Sequence, residues 1–209
     1  PELWRDTLNI YRENKEAIEA FLAEARAMGE GRLSVVFTGA GTSDYVGDTC
    51  APYLRHAGNT DLYDFKPIAT TDIVSAPRDF LRAEDPTLVV SFARSGNSPE
   101  SLAAVAVAKE LVHNVKFLNI TCAPEGKLAV ESADDPNALT LLIPRANDKG
   151  FAMTGSYTCM TLLSTLIFDE ASDEQKAEWV ETIAKMGEEV IDREPEVADY
   201  LAGDFNSVT

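Results

Sequence analysis

The sequence predicts an α/β fold, a parallel β-sheet covered by helices on both faces. Short apolar runs alternate with stretches of helical spacing along most of the chain, the pattern of successive βα units. Two of those runs end in glycine- and hydroxyl-rich turns that lead straight into helices. Extra helical segments stand before the first run and after the last.

Taken in order, Asp6 to Met28 sets Leu8, Tyr11, Ile18, Phe21, Leu22 and Ala25 at helical spacing, and Gly29 and Gly31 end the segment. Residues 1–30 are therefore expected to form a helical lead-in. Strands are predicted at Ser34–Thr38, Asp61–Phe65, Thr87–Phe92, Lys116–Thr121 and Ala138–Leu142, with a helix over Asp44–Ala57 after the first. Thr71-Asp72 and Ser98-Pro99 are helix starts, while Pro67, Pro77, Pro86, Pro124, Pro136 and Pro144 punctuate the loops. The helix Pro99–His113 is expected to turn Leu102, Val105, Ala106 and Leu111 to the core. In Tyr157–Phe168, the face of Met160, Leu163, Ile167 and Phe168 has the periodicity of core rather than of a cofactor box. Asp173–Arg193 is a charged amphipathic helix whose stripe of Trp179, Ile183, Met186, Val190 and Ile191 suits packing on another domain or subunit.

Composition bounds the function. At 209 residues, 45% hydrophobic and 25% charged, the chain is an ordinary globular one with room for one good core. A net charge of −17 opposes nucleic acid and anionic membrane surfaces, and no basic patch interrupts it. The longest apolar stretches, such as Thr158–Phe168, are too short to span a bilayer. Cys50, Cys122 and Cys159 lack the close spacing of a zinc or redox pair and are expected to be buried, idle thiols. With no apolar signal segment at the start, they point to a reducing cytoplasm. His56 and His113 are isolated and expected near helix ends. No cluster has metal-ligand spacing, so neither metal nor cofactor is expected.

The chemistry is concentrated in Ser91-Phe92-Ala93-Arg94-Ser95-Gly96-Asn97-Ser98-Pro99-Glu100. A strand delivers the chain to a turn, Gly96 lets the backbone approach a ligand, and Ser98, Pro99 and Glu100 occupy N-cap, N1 and N2 of a helix. A helix N-terminus carries roughly half a positive charge. Hydroxyls on Ser95 and Ser98 with the Arg94 guanidinium would complete a site for a phosphate monoester. The alternative is an ordinary capped turn. A second loop favours the site: Gly39-Ala40-Gly41-Thr42-Ser43-Asp44 follows the run Leu33–Thr38, and in open parallel sheets ligands lie where two such loops part. Thr42 and Ser43 would meet polyol oxygens. A dinucleotide site is the rival, since Gly39-x-Gly41 follows a strand and Asp61 and Asp64 lie downstream. It is weakened because Asp44 stands where the fingerprint wants Gly or Ala. No Gly-Lys-Ser/Thr tail supports a P-loop.

Gly41-Thr42-Ser43 and Arg94-Ser95-Gly96-Asn97-Ser98 together resemble the SIS (sugar isomerase) domain family. Thr70-Thr71-Asp72-Ile73-Val74 and Phe151-Ala152-Met153-Thr154-Gly155-Ser156-Tyr157 are similar to its AgaS branch. That branch comprises the tagatose-6-phosphate ketose/aldose isomerases and galactosamine-6-phosphate deaminase/isomerases. The likeness covers about residues 31 to 170. It implies a three-layer αβα sandwich of flavodoxin/Rossmann type with a five-stranded parallel sheet, and a sugar-phosphate ligand. It also implies a homodimer and two such domains per polypeptide. Carried over, the phosphate loop falls on Arg94, Ser95, Gly96, Asn97 and Ser98, and the sugar loop on Gly41, Thr42 and Ser43. Thr154 aligns with a loop that closes over the sugar. Many relatives have serine, glutamine and an acid where this chain has Ala93, Arg94 and Asn97.

What the resemblance implies about activity is an aldose/ketose isomerase, or deaminase/isomerase, on a hexose or hexosamine 6-phosphate. A noncatalytic, regulatory sugar-phosphate-binding domain is the alternative. Nothing here matches the family's principal acid/base glutamate or ring-opening histidine. Asp44, Glu100, Asp148 and Lys149 are the nearest titratable groups; Asp44 and Glu100 suit helix starts, and Asp148-Lys149 suits a surface turn. Gly203–Thr209 resembles Gly31–Phe37 in kind, a polar lead into a strand. Residues 171–209 are therefore expected to be a long helix and a linker into a second SIS domain absent from this chain.

Overall fold

In the computed structural model, which describes residues 1–203, five strands form one all-parallel sheet. They are β1 (Leu33–Gly39), β2 (Tyr63–Pro67), β3 (Thr87–Ala93), β4 (Val115–Thr121) and β5 (Ala138–Leu142), in the order β2-β1-β3-β4-β5. This is the flavodoxin-like order, and the chain reverses its direction of winding between β1 and β3. Register pairs Thr38 with Ser91 and Gly39 with Phe92, so the C-terminal ends of β1 and β3 lie side by side. Every residue of both central strands is buried, which explains their near-continuous apolar runs. The expected strand start over 203–209 lies, beyond Gly203, outside the described residues.

Helices α1 (Glu2–Arg26), α2 (Asp44–Ala57) and α7 (Thr154–Phe168) cover one face. Phe37, Phe65, Phe92 and Phe168 form its aromatic centre, with ring centroids 5.6 to 5.8 Å apart. The other face carries α3 (Thr70–Ser75), α5 (Pro99–Leu111) and α6 (Lys127–Ser132), with α4 (Pro77–Phe80) after α3. There Val36, Val89 and Phe117 pack on Ile73, Ala104 and Ala108. The sandwich therefore has the three layers expected.

Four details differ from the sequence reading. The lead-in helix begins at Glu2 and belongs to the core: Leu8, Tyr11, Ile18, Phe21, Leu22 and Ala25 are all buried. β2 begins at Tyr63 rather than Asp61, because the Asn59 side-chain carbonyl accepts hydrogen bonds from the Asp61 and Leu62 N–H groups and holds them in a turn. In α5 the buried face is Ser101, Ala104 and Ala108, and Ala106 is exposed. Small residues let that helix lie close on the sheet, so the larger Leu102, Val105 and Leu111 flank the seam half-buried.

The fourth lies beyond α8 (Asp173–Asp192), whose capping box is made by Ser172 and Gln175. That helix buries Lys176, Val180 and Ala184, whereas Trp179, Ile183, Met186, Val190 and Ile191 are exposed. The supposed linker then forms another helix, α9 (Glu194–Leu201), because Pro195 is accommodated in the first turn of a new helix but not inside an old one.

Candidate sugar-phosphate site

Beyond β1 the chain doubles back on itself. A Cβ on Gly39 would stand 2.4 Å from the Ser43 carbonyl carbon, so only glycine permits this turn. Gly41 follows with φ +60°, and Gly41–Ser43 forms one short 3₁₀ turn into α2. Beyond β3, Gly96 adopts φ +65° and aims the chain at α5. Ser98 caps α5 as predicted. Its Oγ accepts the Ser101 N–H at 3.2 Å and donates to Ser101 Oγ at 2.7 Å. The loop is braced from behind, since a Cβ on Gly126 would meet the Ser95 carbonyl oxygen at 2.2 Å.

Between the two loops lies a cavity of about 180 Å³. Of the residues singled out from sequence, Thr42, Ser43, Arg94, Ser95, Gly96 and Ser98 line it together. Gly41, Asn97 and Thr154 are not among its lining residues. Gly41 shapes the turn. Asn97 is exposed and accepts the Lys127 N–H on its Oδ1 at 3.0 Å, tying the loop to α6. Thr154 is the exposed first residue of α7.

Sequence reasoning passed over Ser101, and in the segment Phe151–Tyr157 it singled out Thr154, whereas Met153, Ser156 and Tyr157, with Met160, form the wall. Ser101 was legible in the Ser98-x-x-Ser101 spacing of the cap. Met160 was assigned to the core by its periodicity, and it serves both roles, being buried and on the cavity. Tyr157 is steadied by a 2.7 Å hydrogen bond between its hydroxyl and that of Thr49 on α2.

Arg94 supplies the positive charge of the cavity. Its Nη1 donates to the Asp148 carbonyl at 2.9 Å and reaches Asn147 Oδ1 at 3.5 Å. Asp148 is not a free surface turn: its carboxylate accepts hydrogen bonds from the Gly155 and Ser156 N–H groups and from Ser156 Oγ. It caps α7.

Arg94 and Tyr157 are the only ionisable side chains among the described lining residues, so no carboxylate or imidazole faces the space. Asp44 stands next to Ser43 at the start of α2. Burial, then the charges of Asp48 and Asp72, push its carboxyl above the usual 3.8. Burial likewise raises the thiols, Cys50 to about 11 and Cys122 to about 12, with Cys159 also raised. All three are free, buried and protonated at neutral pH, which leaves no thiolate nucleophile. The arrangement can therefore bind an anion and orient hydroxyls, and its described walls hold neither a carboxylate nor an imidazole to move a carbon-bound proton.

A family model described as SIS domain matches residues 31–168. The chain belongs to the SIS domain family. A Streptomyces coelicolor protein provisionally named D-galactosamine-6-phosphate deaminase AgaS is 44% identical over 205 residues, covering 97% of this chain and 50% of that protein. A crystal structure provisionally assigned as a tagatose-6-phosphate ketose/aldose isomerase, from Clostridium novyi, is 43% identical with TM-score 0.83. That match covers 91% of this chain and 47% of the other. The tagatose-6-phosphate ketose/aldose isomerase of Escherichia coli is 37% identical with TM-score 0.73, covering 80% and 45%. This SIS chain thus spans about half the length of the curated relatives it matches.

Proposed function

We propose that this SIS domain holds the substrate in an aldose/ketose isomerase, or deaminase/isomerase, acting on a hexose or hexosamine 6-phosphate such as tagatose 6-phosphate or galactosamine 6-phosphate. The observation that carries the reading is the convergence of Arg94, the N-terminus of α5 and two hydroxyl-bearing loops on one cavity. The phosphate would sit against Arg94, Ser95 and the Glu100 N–H at the α5 start, since Pro99 has no N–H and Ser98 Oγ takes that of Ser101. Thr42 and Ser43 would then hydrogen-bond sugar hydroxyls, and the apolar side of the sugar would rest against α7. Asn97 and Thr154 would act from the rim. Holding the phosphate fixes C1 and C2 against whatever base and acid are brought to them, which is the entropic part of catalysis.

Moving a proton between C1 and C2 requires a base, and ring opening an acid. We assign both to groups outside the described walls, in a second SIS domain of the same full-length chain or in the partner of a homodimer. The apolar face of α8, exposed among the described residues, would be available to such a neighbour. Residues 31–170 would form the first SIS domain and 171–209 the connection onward. Three free cysteines suit a reducing cytoplasm. The lack of a lining carboxylate or imidazole also favours a second reading, a regulatory domain that binds sugar phosphate without turnover. Both predict binding, and an assay of the full-length protein separates them. Galactosamine 6-phosphate or tagatose 6-phosphate should yield its ketose or aldose product, with ammonia released from the amino sugar. Binding without product would support the regulatory role, and no binding would remove both readings.

A further inference from the structure

We infer that Asp148 is a positioning residue of the phosphate site, one that sets the Arg94 guanidinium and the first turn of α7 in a single geometry. This rests on the phosphate role of Arg94 proposed above. Arginine is long and rotamer-rich, and a half-buried one at the edge of a cavity needs an anchor if it is to meet a ligand without first losing its freedom. Among the described residues, both hydrogen bonds of Arg94 leave from Nη1, to the Asp148 carbonyl and Asn147 Oδ1. Its Nη2 and Nε remain for a bidentate grip on phosphate oxygens.

The anchoring carbonyl is itself fixed by the other end of the same residue. Asp148 Oδ1 accepts the Gly155 N–H at 3.2 Å, and Oδ2 accepts the Ser156 N–H and hydroxyl, each at 2.7 Å. The start of α7 is shaped to receive this carboxylate: a Cβ on Gly155 would stand 2.7 Å from Asp148 Oδ1. Ser156 and Tyr157, one residue further on, line the cavity opposite Arg94. An acid so close to an anion site would ordinarily repel the ligand. Here its charge faces the positive end of α7, so the site keeps the positioning and avoids the repulsion.

A cap that only stabilises α7 would affect all ligands alike and independently of Arg94. The test is a double-mutant cycle on the full-length protein, using Asp148→Asn, Arg94→Ala and the pair. Binding of galactosamine 6-phosphate and of unphosphorylated galactosamine is measured by calorimetry, with a melting curve for each variant. Asp148→Asn should weaken the phosphorylated sugar about tenfold, leave the free sugar within about twofold, and cost nothing more once Arg94 is gone. Equal losses in both backgrounds would overturn the inference while leaving the Arg94 assignment intact. No loss of phosphate preference in Arg94→Ala itself would remove the assignment and the inference together. Gly155→Ala provides a second variant should Asp148→Asn unfold. It keeps the acid but displaces its carboxylate, and should show the same dependence on Arg94.

Discussion

Arg94 carries the only full charge on the cavity walls described, so its removal should be read out by phosphate and not by sugar. Arg94→Ala is expected to weaken a sugar 6-phosphate by about 1.5 to 3 kcal/mol, the range for charge-assisted hydrogen bonds, with the free sugar unaffected. Equal losses would sink the phosphate assignment. Ser43→Ala should instead alter the ranking among sugar epimers in competition binding, and an unchanged ranking would take Ser43 out of the sugar contact. Gly96 has φ +65° and Leu128 Cβ only 3.1 Å from a notional side chain, so Gly96→Ala should cost about 1 to 2 kcal/mol in denaturant unfolding. At this scale the loop residues were legible because glycine, serine and N-cap chemistry is local. Asp148 was not, because its partners Gly155 and Ser156 lie across a loop, and sequence spacing does not reveal that a carboxylate turns inward.

Elements divide in the same way between local and distant causes. The α5 start was legible because Ser-Pro-Glu is self-sufficient: the cap, the fixed φ and the acid all act within one turn. Ser98→Ala should cost about 1 kcal/mol by removing that cap, checked by chemical denaturation with the sugar phosphate absent. The packed faces of α5 and α8 were not legible from side-chain size. In α5 closeness to the sheet selects Ser101, Ala104 and Ala108. In α8 the contact with α1 selects Val180 and Ala184, with Lys176 tucked over the Tyr11 ring, while the larger residues stay outside. Hydrophobic counting favours the large side chains and so misses the tight seam of α5, whereas in α8 the stripe it picks is the exposed one, as suits a face left for a neighbour.

For the whole molecule, the alternation of strands and helices dictates a parallel sheet, and in the order β2-β1-β3-β4-β5 the switch point between β1 and β3 places the ligand loops together. The sandwich was legible for that reason; the close integration of α1 into it was not, since amphipathic spacing names a face without naming what it meets. Stability should follow pH through the acids. Asp135 is held below its usual 3.8 by the Lys109 hydrogen bond and then the Asn137 N–H, and Asp173 chiefly by Lys15. A carboxyl whose folded pKa is depressed contributes stability above its ordinary value and loses it as pH falls through the folded value. The melting temperature should therefore drop as pH falls below about 4, and Asp135→Asn should flatten that drop. An unaltered slope would exclude this pair. Asp44 has the opposite sign: its raised carboxyl favours the fold at low pH and loses that contribution as pH rises through the folded value.

The convergence of Arg94–Ser98 and Gly41–Ser43 is proposed to make a site for a phosphorylated sugar. Calorimetric titration of this chain with tagatose 6-phosphate, galactosamine 6-phosphate, the two free sugars and NAD tests it most directly. Heat from a sugar phosphate, absent with its free sugar and lost in Arg94→Ala, is the predicted result. A response to NAD alone, or to free and phosphorylated sugar equally, would contradict it.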